Sequence, residues 1–258
     1  MGWDLITEIL TSHPADTTPN EGSHKVLLIG PQPDDRGLSK ASIVTKTVGQ
    51  LLWERDSDEQ WRNHRKLFKT LLREASTRGL CGKLFEPAFH ALCVRGAKFT
   101  IYRMKPKEGR RNYTFTNDQP GNLESNPEHL ELSPEGRFFF DDDDEKNAIT
   151  SLGNCYYQPT TSNYPSLDSF VYDQNTSQIT AFQVTLAEKH DFKPKGVNAL
   201  DELGRRLLIN NLKIRVIVVV FGDAKVNFVV NMDLVDRLSL EVYTLKVTEN
   251  QLYPYPNS

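Results

Sequence analysis

Asp168 lies in PSLDSFVYD and Gln183 in ITAFQVTLA, and both runs alternate apolar and polar residues as strands do. QNTSQ between them reads as a turn near Asn175–Thr176, so the two runs form a hairpin. Fifteen residues apart, Asp168 and Gln183 come out close to opposite one another. Opposed residues on paired strands bring their side chains within about 5 Å. Thr185 shares the face of Gln183, because strand side chains repeat every two residues. The three therefore make one polar cluster on an otherwise apolar sheet. A carboxylate in that position is costly unless something compensates it. Two readings stay open: a working site, or a buried aspartate satisfied by a neighbouring threonine or a backbone amide.

The hairpin needs elements to hold it. Downstream, KGVNALDELGRRLLINNL reads as a helix with Val197, Leu200, Leu203, Leu207 and Leu208 inward. KIRVIVVVF follows as a strongly apolar strand and KVNFVVNM as a further one. Upstream, STRGLCGKLFEPAFHALCV reads as a helix with Leu84, Phe85, Ala88 and Leu92 on its apolar side. Pro87 removes one backbone bond from it. KFTIYRM is then a strand. The order helix, strand, hairpin, helix, strand predicts an α/β fold with at least one buried central strand.

Residues 105–150 change character. Arg95 to Arg111 carries seven Lys/Arg against one Glu, whereas Glu124 to Glu145 carries nine Asp/Glu against one Arg. This stretch reads as an irregular insertion with one or two strands, NYTFT and GRFFF, and the run DDDD at 141–144 as a solvated loop. Residues 1–75 read as a mostly helical appendage. Trp3, Ile6, Ile9 and Leu10 have helical spacing, KVLLI at 25–29 is a short buried strand, and GPQPDDRG breaks the chain. Helical spacing resumes from Ser39 to Glu54, and Asp58 to Arg73 is a further helix with Asp58 as its cap.

The 258 residues suffice for one large domain with an appendage, and a net charge of −3 selects no partner by itself. Three cysteines without a CxxC pair argue against a disulfide framework or a zinc cluster and fit a reducing compartment, nucleus or cytoplasm. No secretory signal or membrane-spanning run is expected; the longest apolar run, VIVVVF, is of strand length. No GxxxxGK[ST] occurs, so this chain is not expected to bind ATP.

Four pieces in order resemble a PD-(D/E)xK restriction-endonuclease-like domain: GKLFEPAFHAL with Glu86, FTIYRM as the first strand, PSLDSF with Asp168, and FQVTLAEKH with Gln183. YYQPTTSNYPSLDSF and FQVTLAEKHDFKPKGV further resemble the C-terminal nuclease-like domain of crinkler and retrotransposon-hot-spot proteins. The resemblance spans roughly residues 76–232. It implies a core of helix, three-strand meander, helix and strand within a domain at 76–258, with residues 1–75 as the tail of an upstream ATPase-like region.

It also implies metal-dependent hydrolysis of DNA or RNA phosphodiesters. Asp168 would be the main ligand of Mg²⁺ or Mn²⁺, with Glu86 and Gln183 contributing oxygens. The family's lysine belongs at Thr185, where a hydroxyl brings no positive charge. Lys189 reaches the site only if the chain curls back after Ala187. His190 is a similar candidate, and His90 shares the helix face of Glu86. Arg103, Lys105, Lys193, Lys195, Arg205 and Arg206 would meet phosphates, or stand as ordinary surface charge. Tyr156, Tyr157 and Tyr164 would stack on bases or bury their rings. The second function class is a non-catalytic relative, an effector fragment that binds nucleic acid or a protein partner.

Overall fold

The computed structural model describes residues 27–31, 39–43, 58–73, 77–140, 152–160 and 167–253. The chain divides into two compact units, residues 1–88 with 249–258, and residues 89–248. Residues 249–258, distant in sequence, belong with the first unit.

In the first unit, β1 (Leu27–Pro31) pairs antiparallel with β2 (Ser39–Ile43). The helix expected from Ser39 is therefore corrected at its start: local spacing cannot reveal a partner strand, and pairing overrides it. α1 spans Asp58–Arg73, as expected, and α2 spans Arg78–Val94 with Pro87 inside it. Leu67, Phe68 and Leu71 of α1 and Cys81, Leu84, Phe85 and Ala88 of α2 are buried. A short helix, Glu249–Leu252, precedes the buried Tyr253, whose ring lies 5.8 Å from Phe68. Glu249 pairs with Arg65 and, at 3.0 Å, with Lys69. The helix at residues 3–10 lies outside the described residues.

The second unit is built on an eight-stranded mixed sheet. Its strands are β3 (Ala97–Arg103), β6 (Glu128–Leu132), β7 (Gly136–Phe140), β8 (Cys155–Pro159), β9 (Ser169–Asp173), β10 (Gln178–Val184), β12 (Lys213–Phe221) and β14 (Glu241–Val247), in the order β6-β3-β14-β12-β10-β9-β8-β7. β10, β12 and β14 run parallel, and β8, β9 and β10 form an antiparallel meander. β12 has Val216 to Val220 buried, which is why it reads as a continuous apolar run. The order of strands corrects one expectation: FTIYRM is β3, which pairs with β14 and β6, whereas the neighbour of β9 is β8.

A second sheet, β11-β13-β5-β4, is made by β4 (Pro106–Glu108), β5 (Asn112–Thr116), β11 (Lys189–Asp191) and β13 (Asn227–Asn231). KVNFVVNM thus leaves the main sheet. NYTFT and GRFFF are strands as expected, joined by β4 and β6, so the insertion supplies both outer strands of the main sheet. DDDD lies outside the described residues. α3 (Pro194–Arg206) buries Val197, Leu200 and Leu203 in one core with Ile214, Val216 and Phe228. Leu208 is not inward: it is 85 % exposed, with φ 55°. α4 (Met232–Leu238), capped by Asn231, leads into β14.

Candidate functional site

The turn fixes the register of the hairpin. Asp173 accepts from the Asn175 amide at 2.9 Å and from the Thr176 hydroxyl at 2.7 Å, and Ser177 takes a left-handed conformation at φ 50°. The Thr176 hydroxyl holds the Asp173 carboxyl below its ordinary range. Gln178 then pairs with Asp173 and Phe182 with Ser169. Continued by one residue, this register sets Asp168 opposite Gln183, as the sequence predicts.

The Asp168 amide donates to Phe182 O at 2.9 Å. Its Oδ2 accepts from Val184 N at 2.6 Å and from Gln183 Nε2 at 2.8 Å. The carboxylate thus takes the place of a backbone carbonyl where the ladder ends, and two N–H groups aimed at it compensate its burial. Of the two readings left open by the sequence, the satisfied aspartate is the one these bonds describe, with the backbone amide of Val184 as its anchor and Gln183 as its side-chain partner. Gln183 is 6 % exposed, and its Oε1 is buried with no hydrogen-bond partner among the described residues. A buried acceptor without a donor costs about 1–3 kcal/mol, so a cation or a water would be stabilised against this oxygen.

Thr185 is 8 % exposed, and its hydroxyl accepts from Ala187 N at 3.0 Å. That local bond favours a turn over a continued strand, and β10 ends at Val184. Lys189 therefore does not extend β10. It opens β11, is exposed, and pairs with Asn227 in the second sheet. His190 stacks on Phe228, 5.9 Å between ring centres. Glu86 belongs to the first unit, and Asp168 and Gln183 to the second.

The basic residues separate into two groups. Lys189, Lys193 and Lys195 are exposed around the start of α3, a helix terminus that favours anions. Arg206 and Lys105 are also exposed. Arg205 is engaged by Asp201 on the same helix. Arg103 lies 3.0 Å from Glu241 and 3.6 Å from Glu124, which commits its charge within the protein.

Sequence reasoning missed a second polar group on the other face of the sheet. Tyr156 Oη lies 2.6 Å from Ser169 Oγ and 2.8 Å from His90 Nδ1, all three residues fully buried. Burial pushes the Tyr156 phenol well above its ordinary range, so it is a fixed hydrogen-bonding group rather than a nucleophile. Tyr156 and Tyr157 bury their rings instead of offering them to bases, and Tyr164 lies outside the described residues. No alternation in CYYQP marks it as a strand, since four consecutive residues of it are buried, so the sequence offered no signal for this group.

Among the described residues no three His, Cys, Asp or Glu side chains group closely enough to hold a metal by themselves, and no helix is long and apolar enough to cross a membrane. No family model, curated protein or solved structure matches the chain.

Proposed function

We propose that the second unit is a nuclease-like domain that hydrolyses phosphodiester bonds of DNA or RNA with Mg²⁺ or Mn²⁺. The observation that carries this reading is the Asp168–Gln183 pair, a carboxylate held by two N–H donors beside a buried amide oxygen that has no donor among the described residues. Hard oxygen donors suit Mg²⁺, which needs only one or two carboxylates and retains waters. Asp168 and Gln183 Oε1 would hold the ion, which when bound supplies an activated water and neutralises phosphate charge. Val184 N and Gln183 Nε2 orient the carboxylate, while Lys193 and Lys195 at the start of α3 attract the backbone phosphates. The sequence of α2, the meander β8-β9-β10, α3 and the parallel strand β12 supports the likeness to restriction-endonuclease-like cores.

A second reading is favoured by a different observation. The Thr185 hydroxyl is spent on Ala187 N, and Lys189 enters the second sheet. A domain without a lysine at that step would bind nucleic acid or a protein without cutting. The deciding experiment incubates purified chain with Mg²⁺ or Mn²⁺ and mixed DNA and RNA, beside Asp168→Asn and Thr185→Lys. Cleavage by the wild type that Asp168→Asn abolishes supports the enzyme. Retention of nucleic acid without cleavage, with cutting gained in Thr185→Lys, supports the binding module.

A further inference from the structure

A second candidate site lies on the other face of the sheet. Thr180 and Gln183 are three residues apart on β10 and so project to opposite faces. On the Thr180 side, the link from β6 to β7 passes from one edge of the sheet to the other. Asn154 pins this strap by accepting from Glu135 N at 2.8 Å and donating to Ser133 O at 3.1 Å. A cleft of about 400 Å³ is lined by the strap and by Leu130, Leu132, Val171, Thr180 and Arg215. That volume lies in the range of small-molecule sites.

Arg215 is the unusual residue in this cleft. It stands in the apolar strand KIRVIVVVF, with its side chain only 13 % exposed. Nε donates to Thr180 Oγ1 at 2.7 Å, and Nη1 stands 3.5 Å from Glu128 Oε2. A guanidinium carries five N–H donors in a planar fork. These contacts use at most two of them, and the rest have no protein acceptor among the described residues.

We infer that this cleft binds a small organic monocarboxylate, with Arg215 as the anchor of its carboxylate. The fork matches a carboxylate in two parallel bonds. Leu130, Leu132 and Val171 offer walls for an apolar body. Glu128, beside Arg215, and the cleft-lining Glu131 and Asp173 disfavour a dianion such as phosphate.

The test is ligand-observed NMR on the full chain with benzoate and hexanoate, and with benzamide and inorganic phosphate as controls. Saturable benzoate binding, weakened about tenfold or more in Arg215→Gln and unchanged in Asp168→Asn, is the expected result. Because Arg215→Gln removes a half-buried charge, Val171→Phe serves as a second variant that fills the cleft and keeps the arginine; it too blocks benzoate. The Arg215 Nε–H resonance of the wild type also shifts on titration. Absence of that shift, benzoate binding indifferent to both variants, or phosphate or benzamide binding tighter than benzoate would overturn the inference.

Discussion

At the scale of single residues, Asp168 has a structural duty whatever its chemistry. Asp168→Ala strands the Val184 amide and removes the partner of Gln183 Nε2. A loss of about 1–3 kcal/mol in urea unfolding is expected, with Asp168→Asn closer to the wild type because its amide oxygen still accepts. This opposition was legible in the sequence because two alternating runs and a short turn fix a register. The hydrogen bond from Val184 N was not, since no pattern announces that a carboxylate will replace a carbonyl at the end of a ladder. His64 gives a pH dependence. Burial lowers its imidazole from the ordinary 6.5 to about 3, so between those values the unfolded chain binds more protons than the folded one. The stability from this group is complete above pH 6.5 and declines as the pH falls towards 3, by up to about 1.4 kcal/mol per pH unit. Melting temperatures recorded from pH 7 to 4 should therefore fall more steeply for the wild type than for His64→Gln.

At the scale of elements, the end of α3 is a Schellman motif with the wrong residue in it. Leu208 N donates to Arg205 O at 3.1 Å and Ile209 N to Gly204 O at 3.0 Å. The left-handed position between them, which usually holds glycine, holds the exposed Leu208. Leu208→Gly should raise stability by about 1 kcal/mol, read as a higher urea midpoint at unchanged slope; a lower midpoint would contradict it. The helical period of KGVNALDELGRRLLINNL placed Leu208 inward because a period carries no mark of where the helix stops. Elements with strong internal patterns, α1, α2, β10 and β12, could be read directly. β14 escaped because Glu241, Thr244 and Lys246 break its apolar run, and the edge strand β6 because it is half polar.

At the scale of the whole molecule, a net charge of −3 means that any nucleic acid must meet a local patch. If Lys189, Lys193 and Lys195 are that patch, three phosphate contacts predict a log–log salt slope near −2.7 for duplex DNA (about −0.9 per contact). Filter binding from 50 to 200 mM salt measures it, and changing the three lysines to glutamate should abolish retention. A much steeper slope would mean that Arg206, Lys105 or other basic residues join the contact.

The central position of β14 governs how this sheet can be assembled. Strand β3 finds its partner across the interval from Ile101 to Leu245, and β12 waits for the same strand. During synthesis at roughly 5–20 residues per second, the flanks of β3 and β12 stay unpaired until residue 247 has left the ribosome. Until then the nascent chain carries two open strand edges, and the sheet closes only when β14 docks between them. Pairings this distant fold in milliseconds to seconds rather than microseconds.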